Sequence, residues 1–110
     1  VTEARRYGHV VRLRPEHREE YLRLHREVWP EVREMIRSCN IRDYTIYLHG
    51  DLLFSHYVHV GEDHAADMDR MAADPRTRDW WRLTDPCQER LPGTPEGEQW
   101  LRLPEVWHLS

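Results

Sequence analysis

The chain has 110 residues, 39% hydrophobic and 33% charged, with a formal net charge of −4. That length bounds one domain around one core, expected to span residues 1–110 and small enough to benefit from a partner subunit. Arg is evenly mixed with Asp and Glu, which excludes the clustered basic face that nucleic acid requires.

All 16 basic residues are Arg. Without a lysine amine, Schiff-base chemistry, pyridoxal phosphate attachment and P-loop phosphate binding are excluded. No apolar run approaches the ~20 residues of a membrane span, and the N-terminal arginines precede no apolar signal segment. A cytoplasmic protein with neither nucleic-acid nor membrane partners is expected. Cys39 and Cys87 form no CxxC pair or disulfide framework and are expected to be small buried residues.

In chain order, Tyr7 to Leu13 reads as a first strand, stopped by Arg14-Pro15. Glu16, Glu19 and Glu20 then place negative charge at the positive end of a helix dipole. That helix is expected to run to about Ser38, with Leu24, Val28, Val32, Met35 and Ile36 facing the core and a bend at Pro30. Asn40 suits a left-handed terminator. Ile41 to His49 and Leu52 to Val60 form a hairpin about Gly50-Asp51. Asp63 caps a helix through Ala73, and Asp74-Pro75 starts a further helical stretch carrying Trp80, Trp81 and Leu83 that ends at Asp85-Pro86. Cys87 to Trp100 reads as loop, and Leu103 to Leu109 as a closing strand, with Pro104 near its start.

The order β-α-β-β-α-β is the ferredoxin-like α+β arrangement. Tyr44, Ile46 and Leu48 share one face of the second strand, and Tyr47 lies on the other. In the third strand Phe54, Val58 and Val60 oppose Leu53 and Tyr57. Large apolar side chains on both faces imply that both are covered, so a homodimer is expected, two sheets packed face to face as a dimeric α/β-barrel.

For chemistry, His25 stands out. Tyr21 and Trp29 lie four residues to either side, the helical neighbour distance, and Pro30 frees a carbonyl close by. A polar pocket with an acid/base histidine and a half-buried histidine bonded to backbone both fit this pattern. No HExxH or paired Cys/His spacing occurs, so no metal site is expected. His9, His49, His64 and His108 read as solvated or interface residues. There is no GxSxG elbow, and Cys39 at a helix C-terminus is a poor thiolate. Trp80 and Trp81 point about 100° apart on a helix, so one can enter the core while the other offers a flat face and an N–H to a pyranose.

Tyr21, His25, Val28-Trp29-Pro30-Glu31, then Asp43 to Leu48, Leu52-Leu53-Phe54, Trp80-Trp81 and Glu105 to Leu109 together resemble the L-rhamnose mutarotase family. The resemblance runs from Tyr7 to Leu109. It implies a dimeric barrel of ferredoxin-like subunits that interconverts the α and β anomers of L-rhamnose without a cofactor. Position by position it implies that His25 is the proton donor and that Tyr21, Tyr44, Trp80 and Trp81 bind the sugar. It leaves Trp29 to helix–sheet packing. The chain departs from the family pattern between Thr84 and Leu101, so chemistry transfers better than sugar identity.

The expected reaction opens the pyranose, with His25 protonating the ring oxygen while Tyr44 or Tyr21 orients the anomeric hydroxyl or relays its proton. General acid/base catalysis at ~10²–10⁴-fold suffices for a reaction that water already supports. Two alternatives are a cofactor-free monooxygenase-like barrel acting on an aromatic substrate and a non-catalytic sugar-binding module.

Overall fold

The computed structural model describes residues 4–110, so the first three positions of the expected domain lie outside it. Strand β1 (Arg5–Leu13) is the middle of one antiparallel sheet, flanked by β3 (Leu52–His59) on one side and by β4 (Gln88–Glu89) and β5 (Leu101–Leu103) on the other. Strand β2 (Ile41–His49) pairs with β3, giving the order β2-β3-β1-β4 expected of a ferredoxin-like α+β fold. Helices α1 (Arg18–Arg26), α2 (Pro30–Ser38), α3 (His64–Ala73) and α4 (Pro75–Thr84) supply the other layer. No helix among the described residues is long and apolar enough to cross a membrane.

The register sorts the sheet into two faces. Tyr7, His9, Val11 and Leu13 look towards the helices with Leu53, Ser55, Tyr57 and His59, their cross-strand neighbours on β3 where paired. Val11, Leu13, Tyr21, Leu53 and Cys87 close one half of the core; Tyr7, Cys39, Ile41 and Tyr57 close the other. Both cysteines are buried and free. On the opposite face Tyr47, Phe54, Val10 and Leu101 pair successively across β2, β3, β1 and β5, an apolar row that crosses the sheet.

Local chemistry sets most boundaries. Asn40 takes φ 66 after α2, and Gly50 takes φ 60 in the tight β2–β3 turn, conformations that Asn and Gly adopt at low cost. Asp63 accepts from the Ala66 N–H and Asp74 from the Thr77 N–H, each satisfying an otherwise orphan donor at a helix start.

Three expectations are corrected. The first helix is not one bent rod. It begins with a 3₁₀ turn over Pro15–His17, stops at Arg26, and resumes at Pro30. Within the expected 87–100 loop, Gln88 and Glu89 pair with Leu13 and Arg12. The closing strand is Leu101–Leu103, not Leu103 to Leu109, because Pro104 has no N–H to continue the ladder. Beyond it Val106, Trp107 and Leu109 are exposed.

Candidate active site

Trp29 precedes a proline, and the proline ring disfavours α geometry for the residue before it. Trp29 accordingly takes φ −57, ψ 135, and Pro30 serves as the first residue of α2. The break leaves His25 in the last turn of α1 with helix above it and open chain below. Its Nδ1 lies 2.9 Å from the Tyr21 carbonyl oxygen. A carbonyl only accepts, so Nδ1 carries the proton in neutral His25 and Nε2 keeps its lone pair.

The imidazole stacks on the Tyr21 ring with centroids 4.3 Å apart and meets Trp80 edge-on at 5.5 Å. Trp80 in turn meets Trp29 edge-on at 5.2 Å, and the Arg76 guanidinium sits 3.8 Å over Trp29. Trp29 therefore packs α2 against α4, where helix–sheet packing was expected. Burial lowers the His25 pKa from its ordinary value, and the bond to the Tyr21 carbonyl opposes the shift.

Tyr21 is 3% exposed, and its hydroxyl accepts from Gln88 Nε2 at 3.3 Å. Burial first, and then the charge of a nearby Tyr44, push the Tyr21 phenol above its ordinary pKa. Tyr44 is 45% exposed. Desolvation nevertheless raises its pKa, and its ring meets Tyr57 edge-on at 5.7 Å.

Tyr21, His25 and Trp80 are thus in direct sequence of contact. Tyr44 lies within electrostatic reach of Tyr21 from the sheet side. Trp81 is half-buried and stacks on no ring among the described residues.

Sequence reasoning missed Gln88, which falls in a segment read as loop and carries no periodic signal. It also read His64 as a solvated or interface residue. His64 stacks on Tyr7 at 4.1 Å and bonds the Tyr57 hydroxyl through Nε2 at 2.7 Å. Beyond it, buried His59 donates from Nε2 to Asp67 Oδ2 at 2.7 Å. Asn40 and Arg70 also donate to Asp67, at 2.9 and 2.8 Å. These bonds, Asn40 foremost and then Arg70 and His59, hold the Asp67 carboxyl well below the usual range. A third group, His17, Glu20 and Cys87, brings three metal-competent atoms within 4.8 Å of one another at the start of α1.

The sheet order and the helix layer define a ferredoxin-like α+β protein, with a histidine set among aromatic rings. Residues 6–109 match the L-rhamnose mutarotase family along nearly their whole length. The chain belongs to that family, and with it to the isomerases that interconvert sugar anomers.

Among its relatives, an L-fucose mutarotase of Xanthomonas campestris pv. campestris is 39% identical over 95 residues, covering 83% of this chain and 75% of that protein. An L-rhamnose mutarotase of Listeria monocytogenes serovar 1/2a is 34% identical over 107 residues, covering 96% of this chain and 98% of the relative. The crystal structure of an L-rhamnose mutarotase from Formosa agariphila superposes with a TM-score of 0.73 at 19% identity, over 96% of this chain and 99% of that one. Tetracenomycin F2 cyclase from Streptomyces glaucescens shares the fold with a TM-score of 0.68 at 14% identity, over 96% and 99% of the two chains.

Proposed function

We propose that the protein is a mutarotase for L-rhamnose or a related 6-deoxy sugar, L-fucose included, and that His25 performs the proton transfer. One observation carries the assignment: the Nδ1 bond to the Tyr21 carbonyl, which leaves Nε2 as a free basic nitrogen on a ring held by Tyr21 and Trp80. With its pKa lowered, His25 enters the cycle neutral at pH 7.

In ring opening Nε2 removes the anomeric hydroxyl proton, the C1–O5 bond breaks as the C1 carbonyl forms, and a second group protonates O5. After rotation about the C1–C2 bond, the steps run backwards on the other face of the aldehyde, and His25 returns its proton as the acid. The proton-donor role implied by resemblance thus belongs to the closing half of the cycle. Tyr44 is the better second group, because its side chain is only partly covered while Tyr21 is buried with its hydroxyl against Gln88. Tyr21 then acts on His25, through its ring and its carbonyl. Trp81 supplies the stacking face for the sugar, and Trp80 holds the imidazole. The chemistry asks for no cofactor.

The test is magnetisation-exchange NMR of anomeric protons over a panel of deoxy sugars. Accelerated exchange that disappears in a folded His25→Ala variant is the expected result; near wild-type exchange in that variant overturns the assignment.

A homodimer belongs to the same proposal. Tyr47, Phe54 and Leu101 of the apolar row, which close over the buried Val10, and the neighbouring recess lined by Arg6, His56, Leu103 and Trp107 leave apolar surface on the face away from the helices. Tyr47 is 64% exposed and Trp107 77%. A second copy laid on this face buries both. Phe54→Glu is expected to halve the mass measured by light scattering, and an unchanged dimer or a monomeric wild type refutes this interface.

A further inference from the structure

We propose that His17, Glu20 and Cys87 form a binding site for one zinc-class divalent cation, separate from His25, that clamps the start of α1 to the chain segment entering β4. His17 ends the 3₁₀ turn and caps α1, Glu20 lies in the first turn of α1, and Cys87 ends the 3₁₀ turn Asp85–Cys87. No spacing rule links residues 17 and 20 to residue 87. The fold alone brings their imidazole, carboxylate and thiol together, with one atom of each within 4.8 Å of the others.

Geometry supports the assignment. Tetrahedral zinc, with Zn–S of about 2.3 Å and Zn–N or Zn–O of about 2.0–2.2 Å, holds its ligand atoms roughly 3.3–3.7 Å apart. The Cys87 Sγ to Glu20 Oε1 separation is already 3.4 Å. Glu20 is exposed and His17 half-buried, so modest side-chain rotations close the third corner. The His17 ring caps no backbone N–H, and its side chain makes no hydrogen bond or ion pair among the described residues.

The donor set is mixed: one sulfur, one nitrogen, one oxygen. Thiolate and imidazole favour zinc over magnesium or calcium, which take oxygen ligands. Three protein ligands leave a fourth position for water on the exposed side. On binding, the Cys87 S–H bond breaks, the proton leaves to solvent, and a metal–sulfur bond forms.

The placement gives the clamp a consequence. Glu20 and Cys87 immediately precede Tyr21 and Gln88, whose side chains bond each other at 3.3 Å. A cation joining the first pair fixes the second, and the Tyr21 ring of that second pair stacks on His25. His25 itself is eight residues from His17, roughly 12 Å along the helix axis, and takes no part.

The experiment uses the whole chain, stripped by a chelator and titrated with Zn²⁺ by calorimetry and with Co²⁺ by absorption spectroscopy. One equivalent of each should bind, Zn²⁺ should raise the unfolding temperature, and Co²⁺ should show a near-ultraviolet thiolate charge-transfer band. Cys87→Ser should abolish that band and weaken Zn²⁺ binding more than the ~10–100-fold typical of losing an outer-shell partner. His17→Ala, a change at a half-buried position, should weaken binding while circular dichroism shows the fold retained. His25→Ala should leave stoichiometry and band unchanged. Failure of the wild type to bind, affinity unchanged in both His17→Ala and Cys87→Ser, or binding lost with His25 each overturns the proposal.

Discussion

His25 lies face to face with Tyr21 and donates its Nδ1 proton to the carbonyl oxygen of the same residue. One residue thereby sets both the plane and the tautomer of the imidazole. An i,i+4 bond of this kind is available only where the ring folds back along its own helix, and the end of α1 at Arg26 leaves the other nitrogen uncovered by a following turn.

That arrangement determines the sign of a pH effect. Burial places the His25 pKa below its ordinary 6.5, and a base is lost when it is protonated. The kcat/KM profile should therefore stay flat as pH falls from neutral and drop only below 6.5, tenfold per unit. His25→Gln should remove that limb and lower the rate by ~10²–10⁴-fold. Measured profiles of anomer exchange decide this; a limb centred above 6.5 contradicts a desolvated base.

The two tyrosines should separate in kinetics. Tyr44→Phe removes the phenol of the partly exposed ring and is expected to lower kcat by about 10²-fold, with stability nearly unchanged. Tyr21→Phe keeps the ring and the main-chain carbonyl and loses only the bond from Gln88, costing roughly 1 kcal/mol of stability and little kcat. The opposite ranking would transfer the second proton to Tyr21.

The tryptophan pair should split in the same way. Trp80 is 6% exposed and wedged between His25 and Trp29, so Trp80→Ala should cost ~3–5 kcal/mol in denaturant unfolding. Trp81→Ala should cost about 1 kcal/mol and act mainly on KM. A stable Trp80→Ala variant with raised KM alone would reverse the two roles.

Much of this was legible before the structure. A strand ended by Gly50, a helix ended by Asn40 and helices opened by Asp63 and Asp74 are short-range signals, and they place the elements along the chain. Pro30 marked the break but not its size: a bend and a stop look alike in sequence, and only the extended backbone of Trp29 distinguishes them. The closing strand was misplaced because Val106, Trp107 and Leu109 carry β-favouring side chains, whereas Pro104 and the end of pairing at Leu103 override that preference. Gln88, His64 and the Cys87 cluster rest on contacts between distant segments, for which periodicity holds no information.

A fourth prediction concerns the polar network at the far end of the sheet. Asp67 has its pKa held below its ordinary 3.8 by Asn40, Arg70 and His59. The stability it contributes is thus fully present above 3.8 and lost as pH falls through the window below it. Asp67→Ala strands the buried His59 N–H and should cost roughly 2–3 kcal/mol at pH 7 while flattening the acid limb of stability. Gly61→Ala should mimic part of this loss, because its Cβ would stand 2.7 Å from both Asn40 Nδ2 and Asp67 Oδ2. Chemical unfolding at pH 3 and pH 7 checks both; an Asp67→Ala variant whose acid limb remains as steep as the wild type's contradicts the assignment.

The break at Glu27–Trp29 also governs how a disturbance in α2 can travel. Because the backbone between the helices is not helical, displacement of α2 is not passed along a rigid rod to His25. The packed route runs sideways instead, from the Trp29 ring to the edge of Trp80 and from Trp80 to the imidazole. A change in α2 that leaves Trp29 in place should go unnoticed at His25. One that tilts Trp29 should reach the imidazole although no covalent neighbour of His25 has moved.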